Sequence, residues 1–121
     1  MTRVHHVNVV IPAGEAAAVS AFYESVFGFA PTAKLPGTGP GGAWLQIDAV
    51  TQLHLSERDG PPSPDAHTAF VVDDFDAVRS AVAGAGAPWQ DGDDIFGGQR
   101  GFTRDPAGNR IEILERTGAL A

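Results

Sequence analysis

The chain contains no cysteine. That removes thiolate nucleophiles, Cys-ligated zinc and iron–sulfur clusters, and it fits a reducing compartment. There is no apolar run of membrane-spanning length. The opening "MTRVHHVNVV" lacks a signal-peptide profile, because two histidines and an asparagine interrupt its apolar residues. A cytoplasmic protein with no membrane contact is expected. Basic residues are also few: eight, scattered, against fifteen acids, for a net charge of −7. A nucleic-acid surface is therefore not expected. What remains is a chain of 121 residues, 43% hydrophobic, enough for the core of one compact domain.

The pattern along the chain runs twice. "RVHHVNVVIP" is β-branched and reads as a strand ended by Pro12. In "GEAAAVSAFYESVFGF", Val19, Phe22, Tyr23, Val26 and Phe27 recur at three- and four-residue spacings, one face of a helix that Gly28 stops. "KLPGTGPGG" is a loop, and "AWLQID" and "TQLHLS" read as strands joined by a tight turn near Asp48–Val50. "ERDGPPSPDA" is a linker, since three prolines and a glycine suit neither a helix interior nor a central strand. The sequence then repeats itself in outline. "HTAFVV" is a strand, and Asp73 or Asp74 caps a helix carrying Phe75, Val78 and Val82 that Gly84 and Gly86 close. "APWQ" opens a strand region, "DGDDIFGG" is a loop, and "RGFTRD" and "RIEILE" are strands joined by the turn "DPAGN".

Aligned on this repeat, the first strands carry His6 and His67, and the last strands carry His54 and Glu112. The intervals are alike, 48 residues from 6 to 54 and 45 from 67 to 112. A lone strand histidine is more often structural than a ligand. Four metal-binding side chains at matched positions favour a site for a divalent Fe, Mn, Ni, Co or Zn ion. Glu112 stands between Ile111 and Ile113, and a carboxylate seldom faces an interior unless paired or metal-bound. Adjacent strand residues point to opposite faces. His6, sharing its face with Asn8, is therefore chosen over His5, which is read as partly exposed. Trp44, Trp89, Phe96 and Phe102 are candidate pocket walls, and Arg100 is a candidate for orienting a substrate carboxylate. Glu112 is the candidate base, with Glu57 and Asp48 as alternatives.

The segments "HHVNVVI", "VSAFYESVFGF", "HTAFVVDDFDAVRSAV" and "GFTRDPAGNRIEIL" resemble the vicinal oxygen chelate superfamily of glyoxalase I, extradiol dioxygenases and bleomycin-resistance proteins. The resemblance implies an α+β fold of two βαβββ modules, residues 1–58 and 66–121 of a single 1–121 domain. Their curved mixed sheet would surround a metal-binding cleft. It implies His6, His54, His67 and Glu112 as the ligand set; glyoxalase I typically has Glu or Gln where His54 stands. It also implies a homodimer, which would cover the sheet edges. The activity implied is that of a metal-dependent lyase or isomerase, the metal acting as Lewis acid on adjacent oxygens of a small substrate. The alternatives are a dioxygenase and a non-catalytic bleomycin-resistance-type protein; the chain's acidity fits the cationic drug such proteins sequester.

Overall fold

The computed structural model describes residues 2–118. The chain divides into two compact units, Met1–Pro62 and Ser63–Ala121. In the first, β1 (His6–Ile11), α1 (Ala16–Phe27), β2 (Ala30–Thr32), β3 (Ala43–Gln46) and β4 (Gln52–Glu57) follow one another. In the second, the order is β5 (His67–Val71), α2 (Phe75–Gly84), β6 (Gln90–Asp91), β7 (Arg100–Arg104) and β8 (Arg110–Leu114). Each unit is thus βαβββ, and each forms an open four-stranded sheet, ordered β1-β4-β3-β2 and β5-β8-β7-β6. In both, the first strand runs parallel to the last and the other neighbours are antiparallel. This is the α+β class that the family resemblance implies.

Helix α1 forms where the apolar spacing places it, burying Val19, Phe22, Tyr23 and Val26 and packing against β2, β3 and β4. Gly28 ends it at φ 74°, a left-handed conformation that costs glycine nothing. Leu45, Leu53 and Leu55 complete this core at 2% exposure or less. Truncating any one of them to alanine would cost about 2–5 kcal/mol. In the second unit Asp74, rather than Asp73, caps α2 by accepting the Ala77 N–H at 3.0 Å. Phe75, Val82, Ile111 and Ile113 are buried there. Among the described residues no helix is long and apolar enough to cross a membrane.

Two elements differ from the sequence reading. Strand β2 lies in a segment given no element by its pattern, because three residues including Pro31 carry no periodicity; pairing with β3 makes it. The strand expected from "APWQ" is only Gln90–Asp91, since Trp89 turns its ring onto Gly101.

Candidate functional site

The two units place their candidates in matching register. His6 lies opposite Gln52, two residues before His54, and His67 lies opposite Arg110, two residues before Glu112. The odd-numbered neighbours Leu53, Leu55, Ile111 and Ile113 are buried in the cores. The candidates therefore occupy the opposite sheet faces.

In the first unit His54 is buried at 8% exposure in a stack of rings. The Trp44 ring lies parallel to it at 4.1 Å (2°), and the His6 ring at 4.0 Å (14°). A chain of amides fixes its tautomer. The Asp48 carbonyl accepts from Gln46 Nε2, Gln46 Oε1 accepts from Gln52 Nε2, and Gln52 Oε1 faces His54 Nε2 at 2.9 Å. Because the chain ends on a carbonyl, which only accepts, every amide orientation follows, and His54 must donate from Nε2. Its open lone pair is on Nδ1. Burial foremost, then the imidazoles of His6 and His5, hold the His54 pKa below the ordinary histidine value. His5 is exposed, its Nδ1 3.0 Å from that of His6.

The alternative bases are occupied. The Asp48 carboxylate accepts the Val50 and Thr51 N–H groups in the β3–β4 turn. Glu57 accepts the N–H groups of Gly14 and, at 2.7 Å, Gly42; these bonds, Gly14 first, hold its pKa below the usual value. Asn8, Lys34, Trp44, His54, Glu57 and Arg58 are among the residues lining a cavity of about 340 Å³, within the range of small-molecule sites.

In the second unit Glu112 is 5% exposed and fully engaged. Arg100 Nε donates to its Oε2 at 2.7 Å, and His67 Nε2 lies 3.0 Å from its Oε1. Arg100 is thus committed to Glu112. Phe102, directly across from Glu112, lies between the guanidinium carbons of Arg100 at 4.7 Å and Arg110 at 4.1 Å. Trp89 packs on Phe75, Gly101 and Arg79, and Phe96 lies beside Arg100 and Gly118. A cavity of about 100 Å³ is lined by Trp89, Phe102, Arg104 and Arg110, among others.

The sequence-based reading passed over Gln46, Gln52, Arg104 and Arg110. Gln52 was legible as the same-face neighbour of His54. Arg104 and Arg110 flank the "DPAGN" turn on either side, so closing that hairpin sets them opposite each other. Among the described residues, the structure gathers no group of three or more His, Asp or Glu side chains into a metal-holding cluster.

The family model of the Glyoxalase/Bleomycin resistance protein/Dioxygenase superfamily matches residues 3–113. The chain belongs to this superfamily. Among solved structures it is similar to a glyoxalase-family protein from Bacillus anthracis, with 28% identity, 93% of each chain covered and a TM-score of 0.82. It is also similar to oxidase ChaP-H2, with 22% identity, 98% of this chain and 99% of that one covered, and a TM-score of 0.76. TnmS3, an antibiotic-binding protein from Streptomyces sp. CB03234, is 23% identical, with 94% and 95% covered and a TM-score of 0.73. The last two likenesses are of fold alone. No curated protein matches the chain significantly. One glyoxalase-superfamily fold thus serves an oxidase and a binding protein, so the activity of this member must be argued from its side chains.

Proposed function

We propose that this glyoxalase-superfamily member is a divalent-metal-dependent enzyme of lyase or isomerase type acting on a small substrate. His67 and Glu112 would hold the ion in the second unit, and His6 and His54 are the corresponding candidates of the first. The observation that carries the reading is the pairing of His67 with Glu112. His67 Nδ1 is 2.9 Å from the Asp65 carbonyl oxygen, which only accepts, so Nδ1 bears a proton. Nε2 then faces the Glu112 carboxylate at 3.0 Å. A lone pair and a carboxylate oxygen at that distance need a proton or a bound cation between them. Two ligand atoms each about 2.1 Å from one ion and at right angles to each other are roughly 3.0 Å apart, so the pair fits a metal without being spread.

Arg100 supports the same assignment. It holds Oε2, leaving Oε1 as the single outward ligand atom, and a partner that orients a ligating carboxylate is the usual companion of a metal site. When bound, the ion would supply Lewis-acid stabilisation of charge developing on substrate oxygens. Glu112 Oε1 is the atom that would take a substrate proton on leaving the ion, while His67 Nε2 keeps its lone pair for the ion. The first unit fits less readily: its two imidazoles are stacked with near-parallel planes, and in-plane lone pairs of parallel rings do not converge. His54 would ligate through Nδ1, or through Nε2 after releasing Gln52.

The buried, amide-locked His54 favours a second reading, ligand binding without catalysis, in which the Trp44–His54–His6 stack is a rigid wall. Elemental analysis of protein reconstituted with Mn, Fe, Co, Ni or Zn separates the two. One tightly held ion per chain, lost in Glu112→Gln, is the expected result. Persistent absence of metal from folded protein leaves the second reading.

A further inference from the structure

The chain is strongly acidic, yet one sheet face in it is not. Across β5, β8 and β7, His67, Arg110 and Arg104 stand in a single row, each directly opposite the next. Arg100 is on the same face, so three of the chain's eight basic residues sit there. Glu112 is the only carboxylate among the described strand residues of that face, and Arg100 and His67 already hold both its oxygens. The Asp91 carboxylate, near the edge, is held by Trp89 Nε1 at 2.8 Å and Arg79 at 3.5 Å.

The Arg104–Arg110 pair is unfavourable on its own terms. Like charges directly opposite on adjacent strands destabilise a sheet. Arg104 has Nη1 on the Gly108 carbonyl at 2.9 Å, and Arg110 lies over the Phe102 ring. Neither contact neutralises a charge. Arg104 and Arg110 both line the cavity of about 100 Å³, together with Phe102 and Thr103. That volume suits a headgroup rather than a whole drug-sized ligand. Guanidinium forks match carboxylate and phosphate oxygens geometrically.

We propose that this cavity is an oxyanion subsite. Arg104 and Arg110 grip a carboxylate or phosphate on the small molecule that the protein binds, with Phe102 beside its apolar part. This rests on the small-molecule function proposed above, and it reverses the expectation that the acidic composition selects a cationic ligand. The net charge belongs to the rest of the surface.

The test uses the full chain at low ionic strength and four probes: benzoate, phenyl phosphate, inorganic phosphate and benzylammonium. Calorimetric titration should show benzoate or phenyl phosphate binding at least about tenfold more tightly than benzylammonium, with affinity falling as salt is added. The inorganic ion, compared with phenyl phosphate, reports how much the ring contributes. Arg110→Gln and Arg104→Gln should each lose about tenfold in anion affinity, the scale of one charge-assisted hydrogen bond. Arg104→Gln should keep or raise Tm, because it removes a like-charge pair; a purely structural arginine would lower it. Preference for benzylammonium, unchanged affinity in folded Arg110→Gln, or no binding of any probe up to about 10 mM would overturn the proposal. Metal content of the same samples reports on the enzyme reading separately. Metal uptake without anion binding sinks only the subsite, and anion binding without metal sinks only the metal-dependent mechanism.

Discussion

Removing the cation that holds Glu112 tests the architecture of the second unit most directly. Arg100→Met keeps most of the side chain's length and deletes its charge. It leaves a carboxylate that is 5% exposed with His67 as its remaining partner. Breaking a buried ion pair from one side costs about 3–5 kcal/mol. The Arg100 side chain is 18% exposed and His67 stays, so the lower end, about 3 kcal/mol, is expected. For a chain of this size that corresponds to a fall in Tm of roughly 10 °C. Removing both partners is different in kind. Arg100→Met with Glu112→Leu exchanges the pair for apolar groups and should return to within about 1 kcal/mol of the starting stability. The assay is urea unfolding of metal-free protein followed by circular dichroism, with the four proteins of the cycle compared at equal m-value. Loss of less than about 0.5 kcal/mol in Arg100→Met, or a double variant as unstable as the sum of the singles, would refute the view that Arg100 chiefly compensates a buried charge.

Other outcomes follow from the same contacts. The lowered His54 pKa means that the unfolded chain takes up this proton first as acid is added. Its contribution to stability is thus fully present above the free-histidine pKa of about 6.5 and is lost as pH falls through the lowered folded value. A Tm profile of metal-free protein between about pH 7.5 and 5 should fall on the acid side, and His54→Gln should flatten it; an unaltered slope would assign the effect elsewhere. Gly42 has φ +69°, and a Cβ there would lie 2.3 Å from the Leu55 carbonyl oxygen, backbone that cannot swing aside. Gly42→Ala should cost roughly 2 kcal/mol or more in urea unfolding. Gly28→Ala, with open space around its Cβ and φ +74°, should cost about 1 kcal/mol.

The elements whose signal is local were legible in the sequence. The spacing of Val19, Phe22, Tyr23 and Val26 gave α1, and the strand read from "TQLHLS" has the two-residue alternation that buries Leu53 and Leu55 and turns His54 and Gln52 to the other face. The repeat gave strand, helix and then strands twice over, with His6 and His54 matched to His67 and Glu112, and the family resemblance supplied the βαβββ order. What pattern does not carry is partner choice among side chains of one face. Arg100 reads as a surface cation free for a substrate, yet it reaches Glu112 from the neighbouring strand, a contact set by register rather than by spacing. Burial of His54 was equally hidden, because the Trp44 ring that covers it comes from another strand. Strand β2 exists only through its partner. Composition is silent in one respect: an average charge says nothing of where the arginines gather.

The parallel pairing of first and last strands also dictates an order of events. Among the described residues, strand β1 has β4 as its one ladder neighbour, and β5 has β8. His6 meets Gln52 across 46 residues (52 − 6), and His67 meets Arg110 across 43 (110 − 67). Neither opening strand can form its backbone bonds until nearly a whole unit has been made. The antiparallel strands between have close partners and can zip early. Closure entropy grows only with the logarithm of loop length, so the two units face almost the same closing cost. During synthesis β1 waits for β4 to leave the ribosome, and β5 waits for β8, the last strand of the described chain. A break in translation just before residue 110 would leave β5 with an unsatisfied edge of the kind that seeds aggregation.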